Sequence, residues 1–201
     1  NDDFIRTTEE RHHKLVIEFI EKLNKKKDIY KGIYSGLYCE GCEAFVTESD
    51  LTSEGLCHLH KKQTKELNEE NYFFKLSKYQ NKLLQYIEEH PEFIEPQTRK
   101  NEIVSFIKSG LRDVSISREN AKWGIPFPKD EKHRVYVWFE ALQNYLHPKK
   151  YWPADLHLMA NDILRFHTIM WCAMLLSAGY KLPKKVFAHG FFTVNGQKMS
   201  K

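Results

Sequence analysis

The stretch that decides the fold runs from Leu156 to Gly190, "LHLMANDILRFHTIMWCAMLLSAGYKLPKKVFAHG". "LHLMA" is a short apolar strand candidate, and "ILRFHTIMWCAMLLSAG" reads as an apolar helix closed by Gly179. "KVFAHG" is a second strand. Strand, helix and strand within about 35 residues form a βαβ unit, whose strands run parallel with a right-handed crossover. In open α/β sheets ligands bind where the carboxyl ends of the strands meet. Here those ends carry Asn161, Asp162, His189 and Gly190. A helix starting near Ile163 aims its first amides at the same crevice, a favourable place for anionic groups.

Downstream, "FFTVNGQKMSK" predicts a hairpin with a type I′ turn at Asn195-Gly196. It holds Lys198 and Lys201 three residues apart, two cations suited to a polyanion. Upstream, residues 7–27 predict a helix, with Thr7 and Glu10 as a capping box and Leu15, Val16, Phe19, Ile20 and Leu23 along one face. "DIYKGIYSGLYCEGC" reads as strand and turn. Residues 69–89 predict a helix on the spacing of Phe73, Leu76, Tyr79, Leu83 and Ile87, ended by Pro91. "TRKNEIVSFIKSG" predicts another, with Gly110 just past its end. "RVYVWFEAL" begins as a β-rich run.

Three of the four cysteines are bunched. Cys39-x2-Cys42 and Cys57-x2-His60 stand 14 residues apart, the spacing of two knuckle turns closing a tetrahedral Zn²⁺ site. Four protein ligands leave no position for water, so the zinc is structural. Buried thiols are the bland alternative. Cys172 falls mid-helix among apolar residues and belongs to the core.

Composition bounds the rest. The chain has 201 residues, 41% hydrophobic and 29% charged, and a net charge of +4. That balance permits an anionic partner without demanding one. No apolar run approaches the roughly 20 residues of a membrane span, no signal peptide opens the chain, and a cytoplasmic setting is the default, with an organellar form as the alternative. Without an initiator Met, the chain reads as part of something longer.

"KMSK" after a βαβ unit resembles the second signature of class I aminoacyl-tRNA synthetases, and its neighbours resemble the methionyl-tRNA synthetases among them. "DDFIRTTEERHHK", "GLYCEGCEAFVTESDL", "EENYFFKLSKYQNKLL", "SISRENAKWGIPFP", "VYVWFEALQNY", "KYWPADLHLMANDILRFH" and "PKKVFAHGFFTVNGQKMSK" follow that family's course in order. The resemblance implies an α/β Rossmann-type parallel sheet split by an inserted connective domain that holds the zinc knuckle. Residues 1–33 would end the first Rossmann half, 34–114 form the connective-peptide domain, and 115–201 supply the second half up to the KMSK loop. The implied activity is methionine–tRNA ligation: L-methionine and Mg²⁺-bound ATP give methionyl-adenylate, and methionine tRNA takes the methionyl group. Lys198 and Lys201 would neutralise the departing pyrophosphate, Asp162 would meet the ATP ribose, and His189 and Gly190 would flank the nucleotide. Trp138, Tyr145, Ile163, Phe166 and His167 would line the methionine pocket, and Arg118 of "SISR" would organise its charged end. The departures are Asn161 where the family usually carries lysine, Glu140 where Asp is common, and a short link "NYLHPKKYWPAD". The family's first nucleotide signature lies upstream of this stretch, so these 201 residues alone are expected not to form adenylate. Two other readings are a zinc-knuckle RNA-binding module and a synthetase-like paralogue without catalysis. The first needs exposed aromatics among its basic residues, but most aromatics here fall on core-like periods.

Overall fold

A computed structural model of the chain describes residues 3–39, 44–46, 51–58, 61–119, 121–147 and 149–199. Helix α1 (Glu10–Lys25) buries Val16, Phe19, Ile20 and Leu23 on one face, as their spacing requires, and buries His12 with them. The expected Thr7–Glu10 capping box does not form: the N-cap is Glu9 and makes no side-chain cap. The Glu9 carboxylate instead accepts the Arg6 amide at 2.9 Å and the Arg11 guanidinium at 2.6 Å. A charge-assisted partner outcompetes a neutral hydroxyl.

Strand β1 (Ile29–Cys39) follows, with β2 (Ala44–Val46) and β3 (Lys65–Phe74) antiparallel on its two sides. Residues 69–74 are therefore strand, not the start of the expected helix. Ten residues of register, Ile29 opposite Phe74 through Tyr38 opposite Lys65, satisfy the backbone of this segment between strands. Its aromatic residues suit a pleated surface better than a helix, and Tyr72 stacks on Phe127 with centroids 3.9 Å apart. The helix begins only after a 3₁₀ turn at Leu76–Tyr79, as α2 (Gln80–Glu89). Strand β4 (Ile94–Glu95) and α3 (Gln97–Lys108) come next, and Gly110 sits just past the helix at φ 104°, as its position predicts.

Strand β5 (Val114–Ser115) pairs with β3. Strands β6 (Ser117–Glu119), β7 (Pro126–Phe127) and β8 (Asp130–Val135) make an antiparallel sheet with β8 central. The β-rich run ends at Val135, and α4 (Val137–Ala141) continues as a 3₁₀ turn over Leu142–Leu146. Strand β9 (His157–Ala160) leads into coiled turns that end as α5 (Cys172–Ala178), closed by left-handed Gly179. Strand β10 (Val186–His189) lies between β4 and β9, parallel to both. The βαβ unit is as expected, and β4 joins it on the far side. Last comes the hairpin of β11 (Thr193–Val194) and β12 (Gln197–Lys198), with Asn195 and Gly196 both at positive φ, the type I′ geometry.

The core lies between these elements. Phe19 of α1 stacks on Trp171 and on Tyr180, at 6.3 and 5.9 Å. Asp28, fully buried between α1 and β1, ties three segments together: it accepts hydrogen bonds from Lys78, Tyr79 and, at 2.7 Å, the Ser177 hydroxyl. Burial pushes its carboxyl up, but the hydrogen bonds from Lys78, Tyr79 and Ser177 outweigh it and hold the group below its ordinary value. The same contact and burial push the Tyr79 hydroxyl up to about 12.

Because the folded value of Asp28 is depressed, its contribution is present above the ordinary 3.8 and lost as pH falls through the lower folded value. Asp28→Ala leaves two buried hydroxyls without an acceptor, while half-exposed Lys78 returns to water. Urea unfolding at neutral pH should show a loss of about 2–3 kcal/mol. The gap between variant and native protein should shrink in strong acid.

Candidate functional site

The parallel pairing of β9 and β10 sets Ala160 beside His189. The next residues of each strand therefore share one edge, and Asn161, Asp162, His189 and Gly190 come together as expected. Asn161–Ile163 form a single 3₁₀ turn. Asp162 is exposed. The Asn161 Oδ1 is buried and has no hydrogen-bond partner. His189 Nδ1 lies 2.6 Å from the Gly190 carbonyl, which only accepts, so Nδ1 donates. Its ring tilts against Phe192 at 5.1 Å. Nothing lies within 4 Å of where a Gly190 side chain would start, so another molecule can approach this backbone closely. Of the two hairpin lysines, Lys198 is placed by its backbone, opposite Thr193. Lys201 lies outside the described residues.

The ring residues also converge. Trp138 of α4 stacks on Phe166 with centroids 4.3 Å apart and planes 8° from parallel. Residues Phe166–Trp171 form a π-helical turn, a wider coil that is frequent at functional sites. The Cys172 thiol donates to the His167 carbonyl at 3.3 Å, the five-residue reach of such a turn. His167 Nδ1 lies 2.9 Å from the Ile163 carbonyl and Nε2 lies 2.9 Å from the Tyr145 hydroxyl. A carbonyl cannot donate, so Nδ1 carries a proton. Burial, only partly opposed by that backbone bond, lowers the pKa of His167 and favours the neutral ring. Its Nε2 then accepts, and the Tyr145 O–H donates. Ile163 is half-buried against the core. Tyr145, Ile163 and His167 thus form one bonded unit.

Arg118 faces another hollow, of about 1160 Å³, with Trp123, Tyr136, Glu140 and His13 on its walls. Its guanidinium donates to the Ser117 carbonyl at 2.7 Å and the Ser115 hydroxyl at 3.0 Å, and lies 4.2 Å over the Tyr136 ring. Neither Asp162 nor Phe166 lines that hollow.

Sequence reasoning missed a buried cluster beside these rings. His12 Nε2 lies 2.6 Å from the Glu140 carboxylate and its Nδ1 lies 3.1 Å from His147 Nε2. Burial and then the charge of His12 lower the pKa of His147. The pair joins α1 to the segment that carries Trp138 and Tyr145. A signal existed: His12 stands four residues before Val16 on the apolar face of α1, and a polar side chain there needs a buried partner.

Of the four expected zinc ligands, Cys39 and Cys57 are buried, and Cys42 and His60 lie outside the described residues. Among the described residues no group of three His, Cys, Asp or Glu side chains is placed to hold a metal. The Cys57 amide donates to the Lys62 carbonyl at 2.9 Å and the Cys57 carbonyl accepts the Lys61 amide at 2.8 Å, with Lys61 at φ 53°. No described helix is long and apolar enough to cross a membrane.

A parallel sheet with polar residues at its strand tips and a lysine hairpin beyond them fits the α/β frame of a class I synthetase. The chain belongs to that family: the model described as tRNA synthetases class I (M) matches residues 1–66 and 51–201. Within it, the chain is 51% identical over 214 residues to the methionine–tRNA ligase of Thermotoga maritima, covering all of this chain and 34% of the relative. It is 48% identical to that of Streptomyces coelicolor, covering 40% of it. The chain thus spans about a third of the length of several curated relatives it matches. Among solved structures, Mycobacterium tuberculosis methionyl-tRNA synthetase bound by methionyl-adenylate superposes with a TM-score of 0.88 at 42% identity. That match covers all of this chain and 42% of the other. The free-state form of the same synthetase gives 0.84 at 43% identity, covering 94% of this chain and 41% of the other.

His12→Ala strands the buried Glu140 carboxylate and should lower stability by about 3 kcal/mol or more. Glu140→Gln keeps a hydrogen-bond acceptor for His12 and should cost less than half as much. Thermal melts of the two variants side by side give the ratio.

Proposed function

We propose that the intact protein activates L-methionine with ATP and transfers it to methionine tRNA. The observation that carries this reading is the meeting of Asn161, Asp162, His189 and Gly190 at adjacent parallel strand tips. The sequence identity to methionine–tRNA ligases supports it. In the first step a methionine carboxylate oxygen attacks the α-phosphorus of Mg²⁺-bound ATP. A new P–O bond forms, and the bond to pyrophosphate breaks. In the second, a terminal ribose hydroxyl of the tRNA attacks the acyl carbon, and AMP leaves. No protein nucleophile is required, so catalysis is positioning and charge stabilisation.

In this reading Asp162 holds the ribose and His189 flanks the base. The open backbone at Gly190 admits the nucleotide. Asn161, in place of the usual lysine, puts an uncharged side chain beside the ribose. Lys198 and Lys201 offset the charge that grows on the departing pyrophosphate, and their hairpin closes on ATP and reopens for release. Trp138 and Phe166, already stacked, give a polarizable wall to the methionine thioether. Tyr145 and His167 set its polar end, Ile163 fills its floor, and Arg118 helps organise the amino-acid and phosphate end. The division into residues 1–33, 34–114 and 115–201 and a cytoplasmic setting belong to the same proposal. So does a structural Zn²⁺ held by Cys39, Cys42, Cys57 and His60. That ion would cross-link two turns and take no part in the reaction.

Lys201→Ala in the intact protein should slow adenylate formation roughly a hundredfold while the methionine KM stays within about twofold. An unchanged rate would remove the lysine from its role. Tyr145→Phe breaks the bond to His167 and should raise the methionine KM about tenfold with the ATP KM unmoved. Metal analysis of freshly purified protein should find one zinc per chain, and Cys57→Ser should lose it.

A further inference from the structure

Strands β6 and β8 set Arg118 directly opposite Arg134, with both side chains on one face. Like charges facing each other across a ladder repel. Among the described residues no carboxylate pairs with either guanidinium: Arg134 turns its Nη1 to the Glu131 and His133 carbonyls, at 2.6 and 3.2 Å. Two carboxylates on the walls of the Arg118 hollow are engaged elsewhere, Glu69 with the Asn71 amide at 2.8 Å and Glu140 with His12. Something other than an opposite charge therefore keeps Arg118 in place.

Two side chains and one carbonyl do so. Arg118 Nη1 donates to the Ser117 carbonyl and to the Ser115 hydroxyl, and that hydroxyl donates in turn to the same carbonyl at 3.1 Å, closing a triangle. The Tyr136 ring supplies the third contact, with the guanidinium carbon 4.2 Å from its centroid. The backbone puts the ring there. The Tyr136 amide donates to the Ile116 carbonyl at 2.9 Å, which carries the β6–β8 pairing one step further. By strand alternation Tyr136 then shares a face with Arg118 and lies diagonal to it, within reach of a long side chain. Burial pushes the pKa of the Tyr136 hydroxyl up, and the nearby guanidinium charge opposes that rise. Both hydrogen bonds use Nη1. Among the described residues Nε and Nη2 have no partner, so the planar edge of the fork is left for the two oxygens of a carboxylate or a phosphate.

We propose that Tyr136 and Ser115 are positioning residues for methionine activation, holding the Arg118 fork toward an anionic substrate group against the repulsion of Arg134. This rests on the ligase reading, in which Arg118 organises the amino-acid and phosphate end, and it adds what fixes that arginine. Neither residue has to touch the substrate, because each acts through Arg118.

Methionine-dependent ATP–pyrophosphate exchange by the intact protein reads the step. Tyr136→Leu should lower kcat/KM for methionine about tenfold, the share of a cation held over a ring, and Tyr136→Phe should restore it to within about twofold. Ser115→Ala should lower it about fivefold, one hydrogen bond, and Ser115→Thr should recover most of the loss. In an Arg118→Ala background neither Tyr136→Leu nor Ser115→Ala should cost more than about twofold further, because the residue they act through is gone. A merely structural role would cost the same in both backgrounds. Native-like activity of Tyr136→Leu or of Arg118→Ala overturns the proposal. So do losses that multiply in the double variants, or a Tyr136→Phe variant as poor as Tyr136→Leu. If Tyr136→Leu does not fold by circular dichroism, the two Ser115 variants decide alone. A native protein without exchange refutes the ligase reading and this proposal with it, whereas failure of the proposal alone leaves native exchange intact.

Discussion

The parallel pairing of β10 with β9 on one side and β4 on the other is the constraint on which the site depends. Parallel ladders align strand ends that are far apart in sequence. Val186 pairs with both His157 and Ile94, and the register then forces His189 beside Ala160 at the tip of β9. A shift of one residue would turn the side chains of β10 to the opposite face. Val186 and Ala188 would leave the core in which they are buried. The grouping of Asn161, Asp162, His189 and Gly190 is thus a by-product of core packing, and needs no separate interaction to hold it.

Around that sheet the polar interior is organised by pairs that leave few atoms unsatisfied. Asp28 gathers Lys78, Tyr79 and Ser177 at the junction of α1, the 3₁₀ turn before α2, and α5. His12 and Glu140 bind α1 to α4 beside the stacked Trp138 and Phe166. His167 is bonded at both nitrogens. Among the described residues, buried side-chain atoms of Gln143, Asn144, His157, Asn161 and Trp171 lack a partner.

The sequence was most legible where a local rule has no rival. Asn195-Gly196 between short apolar runs permits little besides a type I′ turn, and both residues take positive φ. Gly110 and Gly179 close helices because a left-handed backbone favours a residue without a side chain. The apolar face of α1 follows from spacing alone. Residues 69–74 misled because Phe73, Leu76 and Tyr79 fit a helical period as well as the strand-and-turn they adopt. The deciding factor, ten paired residues on β1, lies more than thirty positions upstream for most of its length.

By itself the sequence determined the local elements, the βαβ order that puts polar residues at strand tips, and the motifs of a class I synthetase. Periodicity, turn chemistry and residue identity are properties of neighbours along the chain. Only the tertiary structure decided that β4 joins the parallel sheet, that His12 finds Glu140 across 128 positions, and that Tyr145 donates to His167. Those facts depend on which distant surfaces bury each other, because a buried polar group takes the partner that packing brings within reach.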